Sequence, residues 1–250
     1  MKAIILAAGQ GTRLRPYTNE VPKCMVKYQG KELITYIIDA FEHCGIDDIT
    51  VVAGYKSQVL KGFLASRNVK FIENPAYATT NMVSTLFCAE DLLDDDVIIS
   101  YSDIIYSDRI LSDLIDSPYD ISLSIDSDWH NLWSVRMEEP LSDAETLKIA
   151  SGRIIELGKK ATSIKEVQGQ YMGLLKVSKR YAADFAEFYN SLDKTAAYDG
   201  KDFSNMYMTT LLQAIIDSGK AVYPVINKGG WLEVDSVEDL KNYTKAGIEI

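Results

Sequence analysis

A glycine-rich turn and the cations that follow it are the residues of this chain best suited to chemistry. Gly9 and Gly11 flank Gln10, and Thr12 and Arg13 follow at once. Two glycines so placed let another group come close to the backbone, and successive bare N–H groups can make an anion cradle. Arg13, Arg15 and Lys23 add positive charge just beyond the turn. In a chain of net charge −10, that local cluster needs a reason, and a polyphosphate is one. The turn is neither GxxxxGK[ST] nor GxGxxG, because Leu14 stands where the last glycine of the dinucleotide pattern belongs. A dinucleotide-dependent oxidoreductase is further disfavoured, since no acidic residue ends a second strand near Val52.

The elements that must hold this turn alternate. Residues 2–8 form a continuous apolar run, the pattern of a strand buried on both faces. Leu33, Ile34, Ile37, Ile38, Phe41 and Cys44 recur at helical spacing, and Gly45 ends that helix. Strands are predicted at 49–52 and 69–72, with a helix through Val59, Leu60, Phe63 and Leu64 between them. After a loop at 74–81, a helix is predicted through Met82, Leu86, Ala89 and Leu93, with Asn81 at its N-cap. A strand at 96–101 follows, and Ser102 and Asp103 stand at its carboxyl end. Ligands of open parallel sheets gather there, and a carboxylate so placed can hold Mg²⁺ on a triphosphate. A helix over 107–117 and a strand over 119–125 continue the βαβ alternation. The expected fold class is α/β: a Rossmann-like, mixed, mostly parallel sheet flanked by helices, with a β-rich arm.

At residue 126 the alternation stops. Residues 126–150 mix acids with Trp129, Trp133 and Pro140. The stretch reads as too polar for a core helix, so an arm or lid over the site is expected, inserted at about 126–160 in a single domain, 1–250. Trp129, Trp133 and Arg136 are its candidates for a substrate pocket. A tryptophan can hold a quaternary ammonium by cation–π attraction, and Arg136 would suit a carboxylate; tryptophans that merely anchor the arm are the alternative. Residues 147–157 read as a hairpin turning at Ser151-Gly152. A strand at 170–177, a helix bearing Tyr181, Phe185, Phe188, Tyr189 and Leu192, a helix at 205–217 and a strand at 221–225 lead to the segment 229–236. A last helix is expected through Leu240 and Tyr243.

Composition narrows the class. The chain has 250 residues, 47% hydrophobic and 25% charged, enough for a core of ordinary size. Thirty-six acids against 26 bases argue against nucleic acid or an anionic membrane as partner. The cysteines number 3, an odd count at wide spacing, which suggests neither a disulfide framework nor a zinc site. Cys24 beside Lys23 leaves a reactive thiol open, and Cys88 is expected in the core. No secretory leader is read at the start and no apolar run reaches the ~18 residues of a membrane span, so the expected compartment is cytoplasmic. A homodimer is left open.

The string LAAGQGTRLRP, followed by VPK at 21–23, resembles the signature of the nucleoside-diphosphate-sugar pyrophosphorylase-like nucleotidyltransferases. TTNMVSTL at 79–86 resembles the small cytidylyltransferases of that family. SDAETLKI, GRIIELGKK and NMYMT resemble the members that act on phosphocholine or, more closely, on phosphoglutamine-type acceptors. The resemblance implies the nucleotide-diphospho-sugar transferase fold, CTP, Mg²⁺ as cofactor, a small phosphorylated acceptor and release of pyrophosphate. It implies that Leu6, Ala7, Ala8, Gly9, Gly11 and Thr12 wrap the nucleotide, and that Arg13 and Lys23 face the reacting phosphates. It implies that Asn81 and Ser84 lie over the base, although Asn81 also reads as a plain cap. Asp103, here after Ser102 rather than the usual glycine, and Asp235 are the implied metal ligands. Lys159 or Lys160 would meet the acceptor's phosphate, although both also read as solvated surface lysines. Gly173 would let the acceptor approach the backbone, and Trp231 falls in the acceptor segment. Two other readings are a sugar-1-phosphate nucleotidyltransferase making an NDP-sugar and a non-catalytic nucleotide-binding regulator. The regulator would need the lysine or the metal carboxylates lost, yet Lys23, Asp103 and Asp235 are all present.

Overall fold

The opening apolar run becomes the strand Lys2–Ala7, deep inside a seven-stranded sheet. The computed structural model describes residues 1–248. Across the sheet the strands run Tyr223–Asn227, Ile121–Asp126, Gln170–Val177, Val97–Tyr101, Lys2–Ala7, Ile49–Ala53 and Val69–Glu73. All neighbours are parallel except that Gln170–Val177 runs antiparallel to both strands beside it. This is the mixed, mostly parallel sheet expected from the alternation. Ile49–Ala53 is buried at every residue, which is why its sequence shows no polar alternation.

Helices cover both faces. They are α1 (Leu33–His43), α2 (Ser57–Phe63), α3 (Met82–Phe87), α4 (Asp108–Ile115), α5 (Trp129–Arg136), α6 (Lys179–Ser191), α7 (Met208–Asp217) and α8 (Val237–Ala246). One apolar layer joins α1, α4, α5 and α8 through Ile37, Phe41, Leu111, Trp133 and Tyr243. The other joins α3, α6 and α7 through Leu86, Phe185 and Leu211. Among the described residues no helix is long and apolar enough to cross a membrane.

Several expectations shift. The helix from 82 ends at Phe87, and a 3-10 turn, Glu90–Leu92, replaces its second half. Cys88 is exposed rather than core, because it caps this shortened helix. The stretch thought too polar for a core helix contains one. In α5 the residues Trp129, Leu132, Trp133 and Arg136 are buried, while His130, Asn131 and Ser134 face outward. Its polarity misled because one buried position is an arginine whose charge is matched inside the protein, as described below. The hairpin is as expected: Glu145–Ala150 and Arg153–Lys160 pair antiparallel. Ser151 and Gly152 both have positive φ, 50° and 74°, the backbone of a tight two-residue turn. The Leu157 amide donates to Gln213 Oε1 of α7 at 2.9 Å, so the hairpin is tied to the body.

Among the very short strands outside the expected elements, two matter for the site. Ile104–Tyr106 and Trp231–Glu233 pair antiparallel, with Trp231 opposite Tyr106 and Glu233 opposite Ile104. At three residues each they carry no readable alternation.

Gly173 shows how tightly the sheet closes beside this ladder. Its φ is +78°, and a Cβ there would lie 2.6 Å from Tyr101 Cδ2. Gly173→Ala is expected to lower the free energy of unfolding by about 1–3 kcal/mol. Chemical denaturation measures it, and a midpoint unchanged from the parent would contradict the packing account.

Candidate active site

The short ladder brings the two distant aspartates together. Asp103 immediately precedes Ile104–Tyr106, and Asp235 lies just past Trp231–Glu233. Between them the Val234 amide donates to the Asp103 carbonyl at 2.8 Å. Antiparallel pairing therefore sets both carboxylates at one end of the ladder, beside the carboxyl end of the strand Val97–Tyr101.

Lys23 reaches into that gap. It opens a 3-10 turn, Lys23–Met25, just after Pro22. Its side-chain stem packs on Gly11, where a Cβ would sit 2.8 Å from Lys23 Cβ, and Gly11 itself has φ +59°. Glycine is thus required twice at that position. Thr18 Oγ1 donates to the Gly11 carbonyl at 2.8 Å and fixes the turn. Lys23 Nζ lies 2.6 Å from Asp103 Oδ2 and 2.5 Å from Asp235 Oδ1. Arg13, whose side chain is 68% exposed, pairs with Asp235 from outside. Burial alone would lower the Lys23 pKa, but Asp103 and Asp235 outweigh it and hold the ammonium above its ordinary value. Burial likewise works to raise the Asp235 carboxyl, and Lys23 and Arg13 hold it below the usual range.

A second buried charge cluster supports the first. Arg136 Nη1 donates to Glu233 Oε2 at 2.6 Å, and Arg136 Nε to Asp239 Oδ1 at 3.2 Å. Asp239 in turn accepts from the Asp235 amide at 2.9 Å and the Ser236 amide at 2.8 Å, capping α8. Arg136 thereby braces the backbone that carries Asp235. Burial pushes the Glu233 carboxyl upward, and Asp103 and Asp235 add to it against the pull of Arg136.

Two cavities meet at this cluster. One, about 270 Å³, is lined by Gly9, Gly11 and Thr12, by Lys23 and Asp103, and by Tyr77, Thr80, Asn81 and Thr85. The other, about 460 Å³, is walled by Trp133, Trp231 and Tyr171 and by Asp143, Glu145 and Glu233. Arg13, Met82, Tyr101 and Asp235 line both.

The residues singled out in the sequence divide between these places and others. Leu6, Ala8, Gly9, Gly11, Thr12, Arg13, Lys23, Asn81, Asp103 and Asp235 line the smaller cavity. Gly173 and Trp231 line the larger one. Ala7 is buried behind the turn, and Ser84 Oγ is turned to the Ser204 carbonyl at 2.8 Å. Asn81 does cap α3, accepting from the Met82 amide at 2.8 Å, while also lining the cavity. Trp129, 3% exposed, lines neither cavity; its indole N–H donates to the Val167 carbonyl at 3.2 Å. Arg136 is closed off by its two carboxylates, so the reading of it as a free partner for a ligand carboxylate is corrected. Lys159 pairs with Glu156 and Lys160 is exposed, and neither lines a cavity. Cys24 is buried, and burial pushes its thiol up to about 12, which removes it as a reactive group. Sequence reasoning missed Glu145, Glu233 and Thr80. Glu233 was the readable one, since it sits two residues before Asp235 in a strand-like WLEV string.

The aspartate pair suits a hard divalent cation. Asp103 Oδ1 is buried with no hydrogen-bond partner among the described residues, and a second carboxylate faces it across Lys23. Among the described residues no group of three or more His, Cys, Asp and Glu forms a cage. Such a pair leaves coordination positions for phosphate oxygens and water, the usual pattern for Mg²⁺.

Comparison with known proteins agrees with this geometry. Residues 3–152 match the family model of the MobA-like NTP transferase domain. The chain is 45% identical over 248 residues to the CTP:phosphoglutamine cytidylyltransferase of Campylobacter jejuni, covering 96% of this chain and 98% of that one. It is 26% identical over 245 residues to the choline-phosphate cytidylyltransferase of Streptococcus pneumoniae, covering 96% of each. Among solved structures, the CTP:phosphocholine cytidylyltransferase of Streptococcus pneumoniae superposes with TM-score 0.77 at 23% identity, covering 99% of each chain. The inositol-1-phosphate CTP transferase of T. maritima gives 0.71 at 20% identity, covering 100% of this chain and 98% of that one. Both likenesses establish the nucleotide-diphospho-sugar transferase fold.

The larger cavity makes a pH prediction. Burial, with Asp143 and Glu233 nearby, pushes the Glu145 carboxyl up to about 7. Between the ordinary carboxylate value and that point, the native state keeps a proton the unfolded chain has released. Stability contributed by this group therefore falls as pH rises from about 4.5 to 7. Glu145→Gln is expected to flatten that decline in denaturation curves taken across the window. A slope the same as the parent's would contradict it.

Proposed function

This chain belongs to the MobA-like NTP transferase family, and we propose that it moves CMP from CTP to the phosphate of phosphoglutamine or a close analogue, with Mg²⁺ as cofactor and release of pyrophosphate. The observation that carries this reading is the meeting of the two cavities at Arg13 and Asp235, with Lys23 in the smaller cavity ion-paired to Asp235, in a chain that matches a phosphoglutamine cytidylyltransferase over nearly its whole length. One cavity takes the nucleotide and the other the acceptor, so the two phosphates meet at the cations.

The chemistry is in-line displacement. An oxygen of the acceptor phosphate forms a bond to the α-phosphorus of CTP. The bond from that phosphorus to the bridging oxygen of the β-phosphate breaks, and pyrophosphate leaves with the electron pair. No covalent enzyme intermediate is needed; positioning and charge neutralisation supply the rate. The amides of residues 9–12 cradle the outgoing phosphates, and Arg13 holds them from the solvent side. Lys23 lies between the α-phosphate and the incoming phosphate, screening two like charges that must approach. Asp103 and Asp235 would hold Mg²⁺, which would supply further charge neutralisation at the same phosphates.

The wall of the larger cavity favours an acceptor with a positive nitrogen. Trp133, Trp231 and Tyr171 offer aromatic faces, and Glu145 offers a carboxylate beside them. An amino acid's ammonium meets that demand, and so does a choline head. Phosphocholine is therefore the second reading, supported by the aromatic walls and by Arg136 being unavailable to an acceptor's carboxylate.

Pyrophosphate release with CTP and Mg²⁺ tests the proposal, using phosphoglutamine, phosphocholine and glucose 1-phosphate in parallel. Phosphoglutamine is expected to be turned over best. Turnover with glucose 1-phosphate alone would replace the acceptor by a sugar. Lys23→Ala, checked for folding by circular dichroism, is expected to lower kcat about a hundredfold or more, and a loss under threefold would refute the role given to Lys23.

A further inference from the structure

Two threonine hydroxyls that line the smaller cavity have a fixed hydrogen-bond polarity. Asn74 is buried at 2% exposure, at the end of the strand Val69–Glu73, where its amide donates to the Ala53 carbonyl at 2.8 Å. Its side-chain orientation is set by a backbone group: Oδ1 accepts from the Ala76 amide at 2.9 Å. Nδ2 must then be the donor, and it gives one hydrogen bond to Thr80 Oγ1 and one to Thr85 Oγ1, each 3.0 Å. Both hydroxyls accept from Asn74, so each proton must point elsewhere. The Thr80 hydroxyl donates to the Ala76 carbonyl at 3.0 Å, and the Thr85 hydroxyl to the Asn81 carbonyl at 3.3 Å. With these protons committed, what each hydroxyl has left is acceptor capacity.

Thr80 and Thr85 line the smaller cavity together with the residues of the glycine turn. We infer that Thr80, oriented by Asn74, selects cytosine over uracil by presenting an acceptor-only hydroxyl to the base. This rests on reading that cavity as the nucleotide site, with the phosphates at the turn and the base beside the threonines. Cytosine carries an amino donor at C4, which such a hydroxyl satisfies. Uracil carries an oxygen there, which would face the oxygen lone pair. Turning the Thr80 proton toward that oxygen would break its bond to Ala76. Thr80 is the specificity-determining residue, and Asn74 is a positioning residue that acts through it.

The test is calorimetric binding of nucleotides to the intact protein with Mg²⁺ and no acceptor present. The probes are CTP, UTP and the triphosphate of pyrimidin-2-one riboside, which lacks the 4-amino group. The parent is expected to bind CTP about tenfold or more tightly than either of the others. Thr80→Val, nearly isosteric but without the hydroxyl, is expected to bring the three affinities within about threefold. Thr80→Ser is expected to restore the preference. Equal binding of CTP and the pyrimidin-2-one nucleotide by the parent would overturn the inference, and so would a Thr80→Val variant that keeps the parent's CTP-to-UTP ratio. Because no acceptor is present, failure to use phosphoglutamine would refute the proposed reaction and leave this inference standing.

Discussion

A buried ammonium between two carboxylates is the interaction on which the rest of this structure depends. Lys23, 12% exposed, is the cation shared by Asp103 and Asp235. Without it, two carboxylates at one end of a short ladder would repel each other in a poorly solvated place, and the usual outcome is protonation or rearrangement. With it, the attraction of one ammonium for both carboxylates offsets their mutual repulsion, and Lys23 and Asp235 each favour the other's ionised form. The arrangement is also poised for exchange. A triphosphate offers Lys23 and Arg13 other anions, and freed carboxylates are ligands for a divalent cation.

Everything around this contact acts to hold its geometry. Gly11 lets the Lys23 stem pass where any side chain would collide. The ladder of Ile104–Tyr106 with Trp231–Glu233 joins chain segments that are far apart in sequence, and its register alone sets the carboxylates side by side. Arg136 then fixes the Asp235 backbone through Asp239. A buried arginine is costly unless its charge is matched, and here Glu233 and Asp239 match it. Its role is to stiffen the site from behind rather than to touch a ligand.

How far the sequence could be read depended on the kind of signal. The strands Lys2–Ala7 and Ile49–Ala53 were legible because burial on both faces leaves a nearly continuous apolar run with no polar alternation. The glycine turn and Lys23 were legible because they are local: residue type and spacing together specify an anion site. The pairing of Asp103 with Asp235 was not, because it depends on strands of three residues each, too short for any periodicity. It entered only through a resemblance to a family. Helix α5 was misread because polarity was taken as exposure, whereas Arg136 is buried by virtue of partners 97 and 103 positions away. The threonines of the smaller cavity show a further limit. Their donor and acceptor roles are decided by Asn74, and no reading of the string TTN could supply them.

The central claim is that Asp103 and Asp235 form, with bound nucleotide phosphates, a single divalent-cation site that Lys23 neutralises in its absence. Electron paramagnetic resonance of Mn²⁺, titrated into the protein with and without CTP, tests it most directly. The account predicts tight binding of one Mn²⁺ that requires CTP and is lost in both Asp103→Asn and Asp235→Asn. Mn²⁺ bound equally well by the parent and by both variants would contradict it.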